Sequence, residues 1–115
     1  MGSVTYYKKG SRLPVYERQL LDDLGQPYSL AGIVSLTFYL KARGQADNVA
    51  PKVNGAAATI VDAATGTVRY AWGATDLDTV GRFRVEWHAN FGGGLLLKFP
   101  APGYDEVVVE EDLAA

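Results

Sequence analysis

Arg82-Phe83-Arg84-Val85-Glu86-Trp87-His88-Ala89-Asn90-Phe91 alternates polar and apolar side chains without a break. On an extended chain successive side chains point to opposite faces. Phe83, Val85, Trp87, Ala89 and Phe91 then share one side, and Arg82, Arg84, Glu86, His88 and Asn90 the other. A helical period would scatter the same apolar residues round the axis, so the stretch predicts a strand with one dry face. Ile33 to Leu40 repeats the pattern, with Val34, Leu36, Phe38 and Leu40 on one side and Ser35, Thr37 and Tyr39 on the other.

Further strands are predicted at 14–22, 57–62, 67–72, 95–99 and 104–110; in the third of these Val68, Tyr70 and Trp72 share a face. Turn chemistry separates them: Asp23-Leu24-Gly25-Gln26-Pro27, Ala63-Ala64-Thr65-Gly66 and Gly92-Gly93-Gly94. The triple glycine between two strand patterns reads as a hairpin connection. The polar run Ala42 to Gly55 reads as a loop, and Thr75 with Asp78 has capping spacing for one short turn near Asp76 to Val80. About seven short strands with regular turns predict an all-β, immunoglobulin-like antiparallel β-sandwich. Its 115 residues suit one domain, 1–115.

Composition narrows the function. The chain has no cysteine, which removes disulfides, thiolate metal sites and a Cys nucleophile. A net charge of −2 gives no bulk attraction for nucleic acid, and no apolar run approaches the roughly 20 residues a membrane helix needs. The charge is unevenly placed. Lys8, Lys9, Arg12 and Arg18 outweigh Glu17 at the start, whereas Asp105, Glu106, Glu110, Glu111 and Asp112 stand without a base at the end. Two readings stay open: solvated termini on paired strands of one sheet, or complementary docking patches between neighbouring copies or partners.

Catalysis finds little support. His88, the only histidine, falls on a polar strand face, and no serine sits in a nucleophile motif. Asp62, Asp76 and Asp78 match no calcium loop; the last two are expected to cap a turn. The triple glycine lacks the Lys-Ser/Thr of a phosphate loop. No cofactor, metal or catalytic residue is expected. Trp72 and Trp87 share phase with large apolar neighbours and read as core; exposed, they would instead suit a glycan platform. Tyrosine gives contact area at low entropy cost, which makes Tyr6, Tyr7 and Tyr39 candidate interface residues. Lys8, Lys9, Arg12, Glu110, Glu111 and Asp112 are the charged candidates. Residues 1–12 read as an extended arm able to add a strand to a neighbour's sheet edge. Deleting residues 2–10 is then expected to leave a folded sandwich that assembles poorly.

Several fragments, in order, resemble small immunoglobulin-like structural proteins of tailed bacteriophages, among them the amino-terminal domain of baseplate upper proteins. They are Lys9-Gly10 followed by Pro14, Leu21 to Pro27, Leu30 to Leu36, Ile60 to Trp72, Asp76 to Phe83, and Phe99-Pro100 with Gly103-Tyr104. Ala101 and Phe83 depart from the Asn and Tyr frequent in that family, and Phe83 removes any tyrosine-corner hydroxyl. The resemblance implies a non-enzymatic virion component: capsid decoration or cement, or a neck, tail or baseplate part. Its implied partners are other virion proteins and further copies of itself, with no nucleic acid or membrane. Its implied place is the virion, after synthesis in the host cytoplasm. The alternative on the same fold is a glycan- or receptor-binding adhesion module.

Overall fold

The computed structural model describes residues 4–22, 24–46, 48–99 and 105–113. Nine strands follow one another: β1 (Val4–Lys8), β2 (Tyr16–Gln19), β3 (Ser35–Ala42), β4 (Val53–Ala57), β5 (Thr59–Asp62), β6 (Thr67–Tyr70), β7 (Gly81–Asn90), β8 (Leu96–Phe99) and β9 (Asp105–Glu110). The two alternating stretches lie side by side. β3 and β7 pair antiparallel with Phe38 opposite Trp87 and Leu40 opposite Val85, and all four side chains are fully buried. Each such side chain contributes about 1.5–3 kcal/mol by leaving water.

The larger sheet runs β1-β9-β7-β3-β4, with β8 also on β7; the smaller runs β2-β6-β5. With β2, β6 and β5 facing the β4-β3-β7-β9 layer, the connectivity is that of an immunoglobulin-like sandwich. Nine strands lie among the described residues where about seven were expected. β4 occupies the end of the predicted 42–55 loop, and Val4–Lys8 is a strand of its own sheet. The sandwich is not wholly antiparallel either, because β1 runs parallel to β9, Tyr6 beside Val108 and Lys8 beside Glu110.

β8 and β9 together make one interrupted partner for β7. Phe99 sits opposite Trp87 and Asp105 opposite Val85. The predicted strand start at Tyr104 and the Pro100 and Gly103-Tyr104 pieces of the resemblance lie outside the described residues, as does Asp23.

Antibody domains bridge their sheets with a disulfide; aromatic rings do so here. Tyr16 of β2 stacks on Trp87 of β7 at 6.0 Å between centroids, and Phe38 of β3 stacks on Tyr70 of β6 at 4.2 Å. Trp72 packs edge-on to Phe38, Tyr70 and Tyr7. Arg18 of β2 and the buried Asp105 of β9 add an ion pair between the sheets at 3.4 Å. Gly66 closes the β5–β6 turn at φ +72°; a Cβ there would lie 2.5 Å from the Tyr28 carbonyl oxygen and 2.8 Å from that of Leu20. Only glycine fits.

The short turn runs through Ala74 to Leu77, earlier than the spacing predicts. Asp76 accepts hydrogen bonds from the Gly73 amide (2.7 Å) and the Tyr70 hydroxyl (2.5 Å). Asp78 lies beyond the turn, where it pairs with Lys52 at 2.5 Å and accepts from the Thr79 hydroxyl at 3.0 Å.

Candidate interaction surface

Strand phase decides what the molecule shows. On the outer face of the larger sheet, β3 presents Thr37, Tyr39 and Lys41, β7 presents Arg82, Arg84, Glu86 and His88, and β9 presents Glu106 and Val108. Tyr39 is half-buried and lies 4.0 Å from the His88 ring, whose Nε2 is 2.6 Å from Glu86. Glu106 is shared by Arg82 Nη1 at 3.3 Å and Arg43 Nη1 at 3.6 Å. The face is polar and cross-linked, as the alternation of β7 predicts.

The predicted interface residues do not form one patch. Tyr6 is exposed on the outer edge, and Lys8 pairs with Glu110 at 3.5 Å. Lys9 donates its backbone amide to the Glu110 carbonyl, and Arg12 Nε donates to the Trp72 carbonyl at 3.1 Å. One pair of the opposed terminal charges, Lys8 and Glu110, thus meets within the molecule on paired strands. Glu111 and Asp112 are exposed beyond β9. Tyr39 is separated from Tyr6 by two whole strands.

Tyr7 is a correction. Its ring is buried against Trp72 at 5.3 Å, and its hydroxyl donates to the Pro14 carbonyl at 2.9 Å. In β1 the residues alternate, so exposing Tyr6 turns Tyr7 inward. The same pairing makes residues 4–8 part of their own sheet rather than an arm free for a neighbour.

Val34 is the second correction. It keeps the phase of Leu36 yet is 69% exposed, because the strand begins at Ser35 and Val34 lies against the Gly92 turn instead of under the opposing sheet. It belongs to an apolar end that the alternation did not reveal. Leu95 and Leu96 are 68% and 52% exposed on the glycine hairpin. Tyr28, Phe91 and Leu97 are half-buried behind them, and together these residues line a groove of about 430 Å³. Leu97 lies opposite Ala89 on the inner face and Leu96 opposite Asn90 on the outer face. The inner side of β8 packs against the β2–β3 connection, through Tyr28 set edge-on to Phe99 at 5.2 Å. The clue in the sequence was Leu95-Leu96-Leu97, three apolar residues running; on a strand they cannot all face inward.

Both tryptophans are core: Trp72 is 2% exposed and Trp87 fully buried. Among the described residues, no group of three or more His, Asp or Glu could hold a metal ion, and no helix is long and apolar enough to cross a membrane. No family model matches the chain, and no curated protein is significantly similar to it.

Proposed function

We propose that this protein is a non-enzymatic, protein-binding β-sandwich that serves as a structural component of a tailed-phage particle. The observation that carries the binding role is the apolar end: Val34, Leu95 and Leu96 stand in solvent at one tip of the sandwich, beside the half-buried Tyr28, Phe91 and Leu97. Exposed apolar surface of this kind marks a site where a partner excludes water. The tip is presented by a hairpin whose Phe91 amide donates to the Leu95 carbonyl at 2.9 Å. Its occupant is another virion protein; the phage context comes from the ordered fragments between Lys9 and Tyr104. The glycan alternative is weakened by burial of both indoles, which removes the stacking platform it would use.

Cryo-electron microscopy of the intact particle tests the reading. The sandwich is expected in the particle with the tip of Val34, Leu95 and Leu96 against a neighbouring protein. Absence of the protein from purified particles would end the virion role, and a tip facing solvent in the particle would end the binding role of that surface.

A further inference from the structure

One edge of the larger sheet is left open beside the apolar tip. β8 lies on β7 through Leu96–Phe99, and among the described residues no strand pairs with its other side. The Asn90 carbonyl accepts from the Val34 amide, on the side of β3, so Asn90 turns its main chain away from β8. Its cross-strand neighbour Leu96 then turns its own N–H and C=O away from β7, and two residues on Lys98 does the same. Leu96 and Lys98 are also exposed, whereas Leu97 is half-buried and Phe99 buried. Main-chain donors and acceptors with no strand beside them are a template for one more strand. The edge strands β4 and β5 break that template with register shifts against their neighbours. β8 keeps an unbroken register to β7.

We propose that β8 pairs antiparallel with β8 of a second copy, about a two-fold axis at Leu97. In that register Leu96 of each copy stands opposite Lys98 of the other, and each such pair exchanges both main-chain bonds. Leu97 meets its own counterpart on the inner face. Next along, Leu95, 68% exposed, comes opposite the buried Phe99 of the second copy. The two grooves of about 430 Å³ beside Tyr28 and Phe91 then adjoin across the axis. An axis at Lys98 would instead set two lysines face to face, which is unfavourable. With the axis at Leu97, each lysine lays its stem along a leucine and keeps its ammonium in water. The strand is thus complementary to itself in one register, and a second copy is the occupant that fits. The contact is small, so its dissociation constant falls roughly in the millimolar range, and the chain stays monomeric at micromolar concentration. Copies gathered on a particle reach such local concentrations. The pairing names a neighbour for the side of the tip, yet it is a property of the purified chain. Its failure leaves the virion role standing, and absence from particles leaves the pairing standing.

Heteronuclear NMR of the full chain, from micromolar to millimolar concentration, tests the pairing. Saturable shifts are expected from Leu95 to Phe99. The Leu96 and Lys98 amides should exchange with solvent freely when dilute and slowly when concentrated; the Leu97 amide, which faces β7, should be protected in both. In a mixture of labelled and unlabelled chains, intermolecular contacts should join Leu97 to Leu97. Lys98→Pro deletes an outward amide that β7 does not use, so the sandwich should keep its fold. Its dissociation constant should rise at least about tenfold. Lys98→Ala keeps the amide and should pair at least as well as the parent. Shifts that stay constant over the whole range, Leu96 and Lys98 amides protected even when dilute, or equal weakening by Pro and Ala would each overturn the pairing. If Lys98→Pro does not fold, the exchange rates of the parent's amides decide the matter alone.

Discussion

Two tyrosines in the core carry the same hydroxyl and opposite consequences. Tyr70 donates to Asp76, whereas the Tyr16 hydroxyl is buried with no hydrogen-bond partner among the described residues. A buried polar atom left unpaired costs stability, and removing it while keeping the ring is neutral or favourable. Tyr16→Phe is therefore expected to leave the thermal midpoint unchanged or higher, and Tyr70→Phe to lower stability by about 1–3 kcal/mol, both by calorimetry. Both hydroxyls resist ionisation. Burial, aided by the Asp105 charge, pushes Tyr16 well above the ordinary value of 10.0, and burial with the Asp76 bond does the same for Tyr70. A raised folded-state value gives stability that is complete below the unfolded value and lost as pH rises. Stability should then fall above pH 10.0, by up to about 1.4 kcal/mol per pH unit for each group. Each Phe variant should show a shallower alkaline decline in denaturant titrations; an unchanged decline in both would refute the assignment. The aromatic side chains Phe38, Tyr70, Trp72 and Trp87 were legible as inward residues because a period of two fixes facing. Which of their hydroxyls and indole N–H groups found partners was not, since partners such as Asp76 come from turns whose geometry alternation does not encode.

At the level of the strand, β1 shows where patterning stops informing. Val4, Thr5, Tyr6 and Tyr7 place apolar or aromatic residues on both faces, so no dry side could be read. Its place became evident only from its partner: β9 buries Val107 and Val109 inward and carries Glu110 to meet Lys8. β4 was illegible for another reason. Its Val53-Asn54-Gly55-Ala56-Ala57 is small and polar, Gly55 takes φ +79°, and the register against β3 shifts between Phe38 and Tyr39. A bulged edge strand of this kind has weak local signals. The strand assignment of β1 reverses the expectation for the start of the chain. Deleting residues 2–10 removes Tyr7 from the core and uncovers the edge of β9, so the truncated protein should be destabilised and not merely deficient in assembly. Tyr7→Ala isolates the packing share of that loss and is expected to cost about 3–5 kcal/mol in chemical denaturation, the range for deleting a large buried ring. A cost below 1 kcal/mol would show that β1 is an accessory after all.

The whole molecule is elongated, 47 × 30 × 25 Å, and its chemistry differs from tip to flank. β7 and β3 set that arrangement, because their polar sides make the broad flank and the hairpin beyond Asn90 makes the tip. The broad flank is cross-linked by its own ion pairs, while the apolar side chains in solvent include those gathered at the glycine hairpin. A stable stand-alone interface buries about 800 Å² per partner, and a tip led by three exposed side chains offers considerably less. Pairwise attachment through it must therefore be weak, and firm attachment must come from many copies held on a common lattice, where linked contacts multiply. The isolated chain is accordingly expected to sediment as a monomer at micromolar concentration. Leu95→Ser with Leu96→Ser should preserve its thermal midpoint, because neither residue is buried, yet sharply reduce its occupancy on particles assembled from variant protein. The multiplication gives the loss its shape: each copy sacrifices a small contact, but occupancy depends on all of them, so it should collapse over a narrow range of added protein rather than decline in proportion. A variant that fills particles as completely as the parent, at every concentration, would show that the tip is not the attachment surface.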